Sequence, residues 1–82
     1  MTPQQRFLAE ANELAHANVE RGGRPFGAVV VRHGAVTATG VNEIQRTNDP
    51  TSHAELNAIR AASQTLGSPD LRGCTVYARQ WR

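Results

Sequence analysis

The chain has 82 residues, of which 39% are hydrophobic and 20% charged, with a formal net charge of +2; this balance argues against disorder. A domain this short buries only about 60–65% of the surface of its unfolded chain, so its stability margin is thin. With one cysteine, no signal-like N-terminus and no apolar run near the ~20 residues that span a bilayer, we expect a cytoplasmic protein without internal disulfides.

The positive charge is spread along the chain rather than concentrated. All nine basic residues are arginines, and they are interleaved with carboxylates from Arg6 to Arg82. A basic run that would track a phosphate backbone is missing, so a solvated, mixed-charge surface is the better interpretation. A nucleic-acid partner therefore receives little support.

The first element is an amphipathic helix. Thr2 is suited to the N-cap and Pro3 to the first helical position, while Gly22 and Gly23 end the pattern. One buried face is predicted by an apolar stripe at helical spacing. The stripe consists of Phe7, Leu8, Ala11, Leu14, Ala15 and Val19.

A β-hairpin follows. The β-branched run 26–31 predicts a strand covered on both faces, and His33-Gly34 is typical of a tight turn. We expect the returning strand over 35–39, with Gly40 ending it and a polar loop over 43–50.

A second long helix is predicted to begin between Pro50 and His53, to be mostly buried (Leu56 included), and to stop at Gly67. A third strand over 74–78 comes next. The order helix, hairpin, helix, strand indicates an α/β fold with three layers, α/β/α, in which a helical crossover reaches the last strand.

The chemistry is concentrated at the opening of this second helix, in Ser52-His53-Ala54-Glu55. A neutral imidazole is a good zinc ligand, and a carboxylate two residues later can move a proton of a metal-bound water. Residues two apart do not share a helix face, yet in the first turn both side chains can address one point beyond the helix end. That point also favours anions through the helix dipole.

A purely structural interpretation of the same letters stands beside this one. Ser52-x-x-Glu55 is also a capping box, in which the two side chains satisfy free helix N–H groups, and His53 could be a surface residue. Taken alone, these letters favour the structural interpretation by about two to one.

The surroundings reverse that preference. Five segments stand in a characteristic order and spacing: 25–31, Gly40-x-Asn42, 48–55, Ala58-Ile59-Arg60-x-Ala62 and 75–77. With them, about two thirds of the chain resembles the cytidine and deoxycytidylate deaminase superfamily, most of all bacterial guanine deaminases and next tRNA adenosine deaminases. The signature of that family pairs H-x-E with a later P-C-x-x-C, with the Glu as acid/base.

The resemblance implies a zinc cofactor with His53 as ligand and Glu55 as the proton carrier, the metal lowering the pKa of a bound water to roughly 7. It also implies that Asn42 hydrogen-bonds the base, that Phe26 packs on its ring and that the Ala54 backbone lines the pocket. Without the resemblance, burial statistics favour Phe26 as a core residue by about three to one, and Asn42 after Gly40 is at least as well explained as a turn residue.

The chain departs from the family pattern after residue 78. The family continues into P-C-x-x-C, whereas this sequence reads Arg79-Gln80-Trp81-Arg82, so both cysteine ligands are missing. We therefore expect residues 1–82 to be the N-terminal portion of a single deaminase domain, arising from a frameshift, a longer gene or a designed cut. Cys74 is not expected to replace a ligand, and His16 and His33 are expected at the surface.

Two classes of function remain open at this point. The first is a zinc-dependent hydrolytic deaminase of a purine base, guanine to xanthine and ammonia, with tRNA adenosine or cytidine-type substrates as alternatives. The second is a truncated, non-catalytic α/β module lacking the zinc cysteines. In either case the outer edge of the third strand is expected to lack a neighbour, and it would pair with a second copy or a completing partner.

Overall fold

The computed structural model describes all residues, 1–82, and contains three helices and three strands. None of the helices has the length and apolarity that crossing a bilayer demands. The elements, in chain order, are α1 (Pro3–Glu20), β1 (Phe26–Arg32), β2 (Ala35–Val41), α2 (Ile44–Thr47), α3 (Ala54–Leu66) and β3 (Cys74–Gln80).

The sheet has the order β2-β1-β3, and β1 runs antiparallel to both of its neighbours. The two outer strands are consequently parallel to each other, and they are connected through α3. The predicted helical crossover is therefore confirmed. It places the start of α3 beside the end of β2.

The two long helices cover opposite faces of the sheet, as the alternation along β1 dictates. Ala28 and Val30 pack with α3, whereas Val29 and Val31 pack with Phe7 of α1. Because β1 is covered on both faces, its centre is fully buried. The three-layer α/β/α arrangement predicted from the sequence is confirmed. On the α3 side, the contacts come from Ala54, Ala58 and Ala62.

Local signals at the ends of these elements behave as predicted. Thr2 caps α1, and Gln5 completes a capping box by accepting from the Thr2 backbone N–H. The hairpin turn places His33 and Gly34 at φ values of 53° and 76°, which is the geometry of the two-residue turns that match strand twist. Gly67 ends α3 in the left-handed conformation.

We predict that Thr2→Ala lowers the free energy of unfolding by about 1 kcal/mol, since the α1 N-terminus loses its side-chain acceptor. Denaturant unfolding measures this change. Gln4→Ala is the control, because Gln4 is exposed in the same turn and makes no side-chain hydrogen bond. Equal losses in the two variants would contradict the capping role.

Three sequence-based boundaries are wrong. Gly40 does not end β2, which continues to Val41, because its missing side chain serves a close helix contact rather than a turn. The predicted loop over 43–50 contains the short helix α2, and β3 extends two residues further, to Gln80.

The α3 face of the sheet is only partly covered. Helix α3 packs mainly on β2 and β1, which leaves Val76 of β3 39% exposed, and Ala78 is also exposed. Leu56, predicted to be buried, is 38% exposed on α3. β3 is an edge strand, so this apolar surface adjoins the free edge that the sequence predicted.

Candidate active site

His53 and Glu55 both lie at the N-terminal opening of α3. His53 is the N-cap residue with extended backbone angles (φ −76°, ψ 152°), and Glu55 lies in the first helical turn. Both residues are exposed. Neither side chain forms a hydrogen bond or an ion pair within the chain, so both remain available to a ligand in front of the helix.

The capping-box interpretation of this segment is wrong. The N-cap is His53 rather than Ser52, and no side chain caps α3. Ser52 is instead buried, and its hydroxyl oxygen accepts a hydrogen bond from the Asn57 side-chain amide at 3.1 Å. Glu55 is consequently not bonded to the helix backbone, which removes capping as the explanation for this carboxylate.

The loop that leads into His53 is shaped by Asp49. Its Oδ1 accepts hydrogen bonds from the Thr51 backbone N–H at 2.9 Å and from the Thr51 hydroxyl at 2.8 Å. These bonds lower the pKa of the Asp49 carboxyl below its ordinary value, the bond from the Thr51 backbone more than the bond from its hydroxyl. Asn48, just before it, adopts φ 58°, a left-handed conformation that asparagine tolerates.

Because the pKa of Asp49 is lowered, we predict that this loop makes a pH-dependent contribution to the free energy of unfolding. That contribution is present above the ordinary pKa of an aspartate and is lost as the pH falls through the lower pKa of the folded state. Thr51→Val removes the hydroxyl donor and should raise the Asp49 titration midpoint, measured by carbon NMR of the carboxyl group. An unchanged midpoint would contradict the assigned cause.

Asn42 lies directly after β2 and is 3% exposed. Its Oδ1 accepts from the Ile44 backbone N–H at 3.1 Å, which confirms the turn interpretation. The side-chain NH₂ group donates to no other atom of the chain. The Asn42 backbone N–H donates to the Phe26 carbonyl at 3.2 Å, so these two predicted substrate contacts are neighbours. Phe26 is half-buried and packs against the Ala28–Val30 side of the core.

Two further contacts join the end of β2 to the opening of α3. The Glu43 backbone N–H donates to the Ser52 carbonyl at 2.9 Å. A Cβ atom on Gly40 would lie 2.5 Å from the Ala54 carbonyl oxygen, so only glycine permits this approach of helix and strand. The structure thus brings the segments that carry Phe26, Asn42 and His53 to one corner of the molecule, and the roles of their side chains stay predictions.

The end of β3 lies at the same corner, because Gln80 pairs with Phe26. Cys74 lies at the opposite end, where it pairs with Arg32, about 20 Å from Phe26 at 3.3 Å per strand residue. Its half-buried side chain packs on the core. Cys74 therefore lies at the end of the sheet away from the candidate corner, and the expectation that it is not a zinc ligand stays a prediction. His16 and His33 are exposed, as expected, and His16 stacks on Trp81.

A cavity of about 480 Å³ opens beside Asn42 between the C-terminal end of α1 and the turn after β2. Val41 is the one hydrophobic residue of its lining, and His53, Glu55, Phe26 and Ala54 do not border it. The cavity therefore adjoins the candidate corner without containing it. It is lined by Asn18, Arg21, Gly22, Gly23, Val41, Asn42, Glu43, Gln45 and Arg46.

The sequence analysis missed two asparagines that support this corner, Asn18 of α1 and Asn57 of α3. The Asn18 side chain donates to the carbonyls of Arg24 and Asn42, and the Asn57 side chain donates to the Val41 carbonyl. The sequence did contain a signal for Asn18. Asn18 follows Ala11 and Ala15 at helical spacing, and a polar residue within a buried stripe needs a hydrogen-bond partner.

The sequence matches the family model described as the cytidine and deoxycytidylate deaminase zinc-binding region over residues 1–80. The guanine deaminase of Bacillus subtilis is 47% identical over 74 residues, covering 89% of this chain and 47% of that protein. The tRNA-specific adenosine deaminase of Aquifex aeolicus is 37% identical over 71 residues, covering 87% of this chain and 47% of that one.

Comparison with solved structures leads to the same family. The X-ray structure of the Bacillus subtilis guanine deaminase superposes with a TM-score of 0.87, covering 90% of this chain and 48% of that chain. A protein designated NE0047, crystallised in complex with 2,6-diaminopurine, is 27% identical and also reaches 0.87, covering 94% of this chain and 44% of its own. The chain therefore belongs to the cytidine and deoxycytidylate deaminase family, and it spans about half the length of the relatives it matches.

The family model describes a zinc-binding region, but the residues of this chain do not form a complete metal site. Catalytic zinc normally has three protein ligands. Nowhere among the 82 residues do three His, Cys, Asp or Glu side chains come together in a way that could hold a metal ion. His53 is thus one ligand at most, and the chain by itself does not fit a complete zinc centre.

Proposed function

We propose that residues 1–82 form the N-terminal half of a deaminase domain that hydrolyses a purine base, guanine most of all, to xanthine and ammonia. One observation carries the proposal: a free histidine and a free glutamate at the opening of α3, in a chain 47% identical to a guanine deaminase. Zinc is the cofactor the family implies, with His53 as the ligand from this half.

The chemistry assigned to this chain is proton transfer and substrate orientation. In guanine hydrolysis, water adds to C2 of the base and the bond to the exocyclic amino group breaks, releasing ammonia. Glu55 removes a proton from the attacking water, passes it to the adjacent ring nitrogen, and carries the second proton to the departing amine. The exposed carboxylate, without a partner in the chain, suits this role.

Substrate orientation falls to Asn42, Phe26 and the Ala54 backbone. The free NH₂ group of Asn42 donates a hydrogen bond to an acceptor of the base, Phe26 packs on the ring, and the Ala54 backbone lines the pocket. Asn42 is pre-positioned for this, because its Oδ1 is already bonded to Ile44 and only the donor group remains free. Such a fixed donor limits the entropy lost on binding.

The test of this proposal uses ammonia release. The chain, supplied with zinc, is assayed alone and as a chimera in which it replaces the matching half of the Bacillus subtilis enzyme. Guanine, adenosine and cytidine are compared as substrates. We expect the chimera to release ammonia from guanine in preference to the others. A folded chimera that is inert on all three would contradict the proposal, and a preference for adenosine would favour the tRNA-deaminase alternative.

A second candidate is a non-catalytic module that persists as an assembly element, with the free edge of β3 pairing with a second copy or a completing partner. The lack of a three-ligand cluster favours it. Metal analysis of the purified chain distinguishes the two. About one zinc per chain, retained after washing with a chelator, would count against the module, whereas no retained zinc together with an inert chimera would support it.

A further inference from the structure

We infer that Asn18 and Asn57 are positioning residues, which hold the end of β2 from both sides of the sheet and thereby orient the Asn42 side chain. Both asparagines come from helices, one from each outer layer of the fold. The inference rests on the proposed function, because it gives them a role through the substrate contact assigned to Asn42.

Asn18 attaches the end of β2 to α1. Its side-chain NH₂ donates both hydrogens, to the Arg24 carbonyl at 2.9 Å and to the Asn42 carbonyl at 2.8 Å. The residue is 6% exposed, so water does not readily replace these bonds. Gly23 makes room for it, because a Cβ atom there would lie 2.5 Å from the Asn18 amide nitrogen.

Asn57 attaches Val41, the residue before Asn42, to α3. Its NH₂ group donates to the Val41 carbonyl at 2.8 Å and to the Ser52 hydroxyl at 3.1 Å. One amide therefore bridges the end of β2 and the residue that precedes His53. The carbonyls of two consecutive residues, Val41 and Asn42, are thus held by helices from opposite layers.

The consequence concerns the direction of the Asn42 side chain. With its carbonyl held by Asn18 and its N–H bonded to the Phe26 carbonyl, the backbone at Asn42 is fixed on both sides. A fixed backbone restricts the rotamers of the side chain, and Oδ1 then stays on the Ile44 N–H while the NH₂ group stays free. Without either asparagine, we expect the turn after β2 to sample other conformations.

Native-state hydrogen exchange on the full 82-residue chain tests this inference directly. In Asn18→Ala and Asn57→Ala, we expect protection of the Asn42 and Ile44 amides to fall about tenfold more than that of Val29 and Val30, as loss of one buried hydrogen bond predicts. Gly23→Ala, which displaces the Asn18 side chain without deleting it, should reproduce the Asn18→Ala result.

Asn12→Ala is the matched control for α1, because Asn12 is half-buried and makes no side-chain hydrogen bond. Arg60→Ala is the control for α3, since it removes an exposed donor to the Asn57 oxygen and leaves the acceptors of the Asn57 NH₂ group in place. Protection that falls no more at Asn42 and Ile44 than at Val29 and Val30 would overturn the inference and leave a purely structural role. This readout needs no activity, so an inert chimera contradicts the proposed function alone.

Discussion

Glu55→Gln is expected to reduce guanine deamination by the chimera about 10²- to 10⁴-fold, the range that a positioned acid/base contributes. Glutamine has the same size and can still accept a hydrogen bond, but it cannot take a proton from water. The exposed Glu55 forms no contact that the substitution would break. We therefore expect the loss in kcat rather than in folding, measured by ammonia release and by denaturant unfolding in parallel.

The stability measurement separates this role from a structural one. An acidic residue in the first turn of a helix contributes about 0.3–1 kcal/mol through the helix dipole, so the variant should lose no more than that. Glu13→Gln, an exposed glutamate of α1 outside the corner, serves as the control and should keep full activity. Full activity in Glu55→Gln itself would exclude the proton-transfer role.

Gly40→Ala is expected to have the largest effect on stability. The added Cβ would lie 2.4 Å from the Ala58 nitrogen and 2.5 Å from the Ala54 carbonyl oxygen, both backbone atoms that cannot rotate away. Helix α3 must then move off the sheet, which costs about 1–3 kcal/mol. A domain of this size has only about 3–5 kcal/mol of stability to lose, so the variant should keep roughly 0–4 kcal/mol and unfold at a clearly lower urea concentration.

The same substitution should disturb the candidate site, because Gly40 sets the distance between the end of β2 and the opening of α3. Thr39→Ala is the control, since Thr39 is the adjacent exposed residue. Circular dichroism during urea unfolding gives the free energies. A midpoint for Gly40→Ala equal to that of Thr39→Ala would show that helix and strand are not in the close contact described.

Much of the fold could be predicted because periodicity and local capping agree with the packing. The continuous apolar run of β1 predicted a strand buried on both faces, and α1 and α3 cover it. Thr2 and Gly67 marked helix ends through interactions confined to a few residues. In these elements, short-range sequence signals and tertiary contacts favour the same structure.

The errors arise where a residue serves a distant contact instead of a local one. Gly40 was interpreted as a strand end, but it makes room for the backbone of α3. Ser52 was interpreted as a possible helix cap, but its hydroxyl accepts from Asn57. Leu56 was counted with the buried face of α3, and it lies where that helix no longer faces the sheet.

The candidate site was predictable to the level of its segments. His53 and Glu55 were selected because their short motif stands within a longer resemblance to the deaminase family. The structure adds that neither side chain has a partner within the chain and that their helix opening adjoins the segment of Asn42. The supporting amides of Asn18 and Asn57 could not be assigned from spacing, because their acceptors lie 24 and 16 residues away along the chain. Hydrogen bonds between such distant residues depend on how the fold brings their segments together.

Everything proposed about catalysis depends on His53 and Glu55 serving the same water molecule. A double-mutant cycle in the chimera tests this dependence, with His53→Ala, Glu55→Gln and the double variant compared by ammonia release from guanine. Residues that act as a unit give non-additive losses, so the double variant should be no slower than the worse single one. Losses that multiply, or a fully active single variant, would contradict the account.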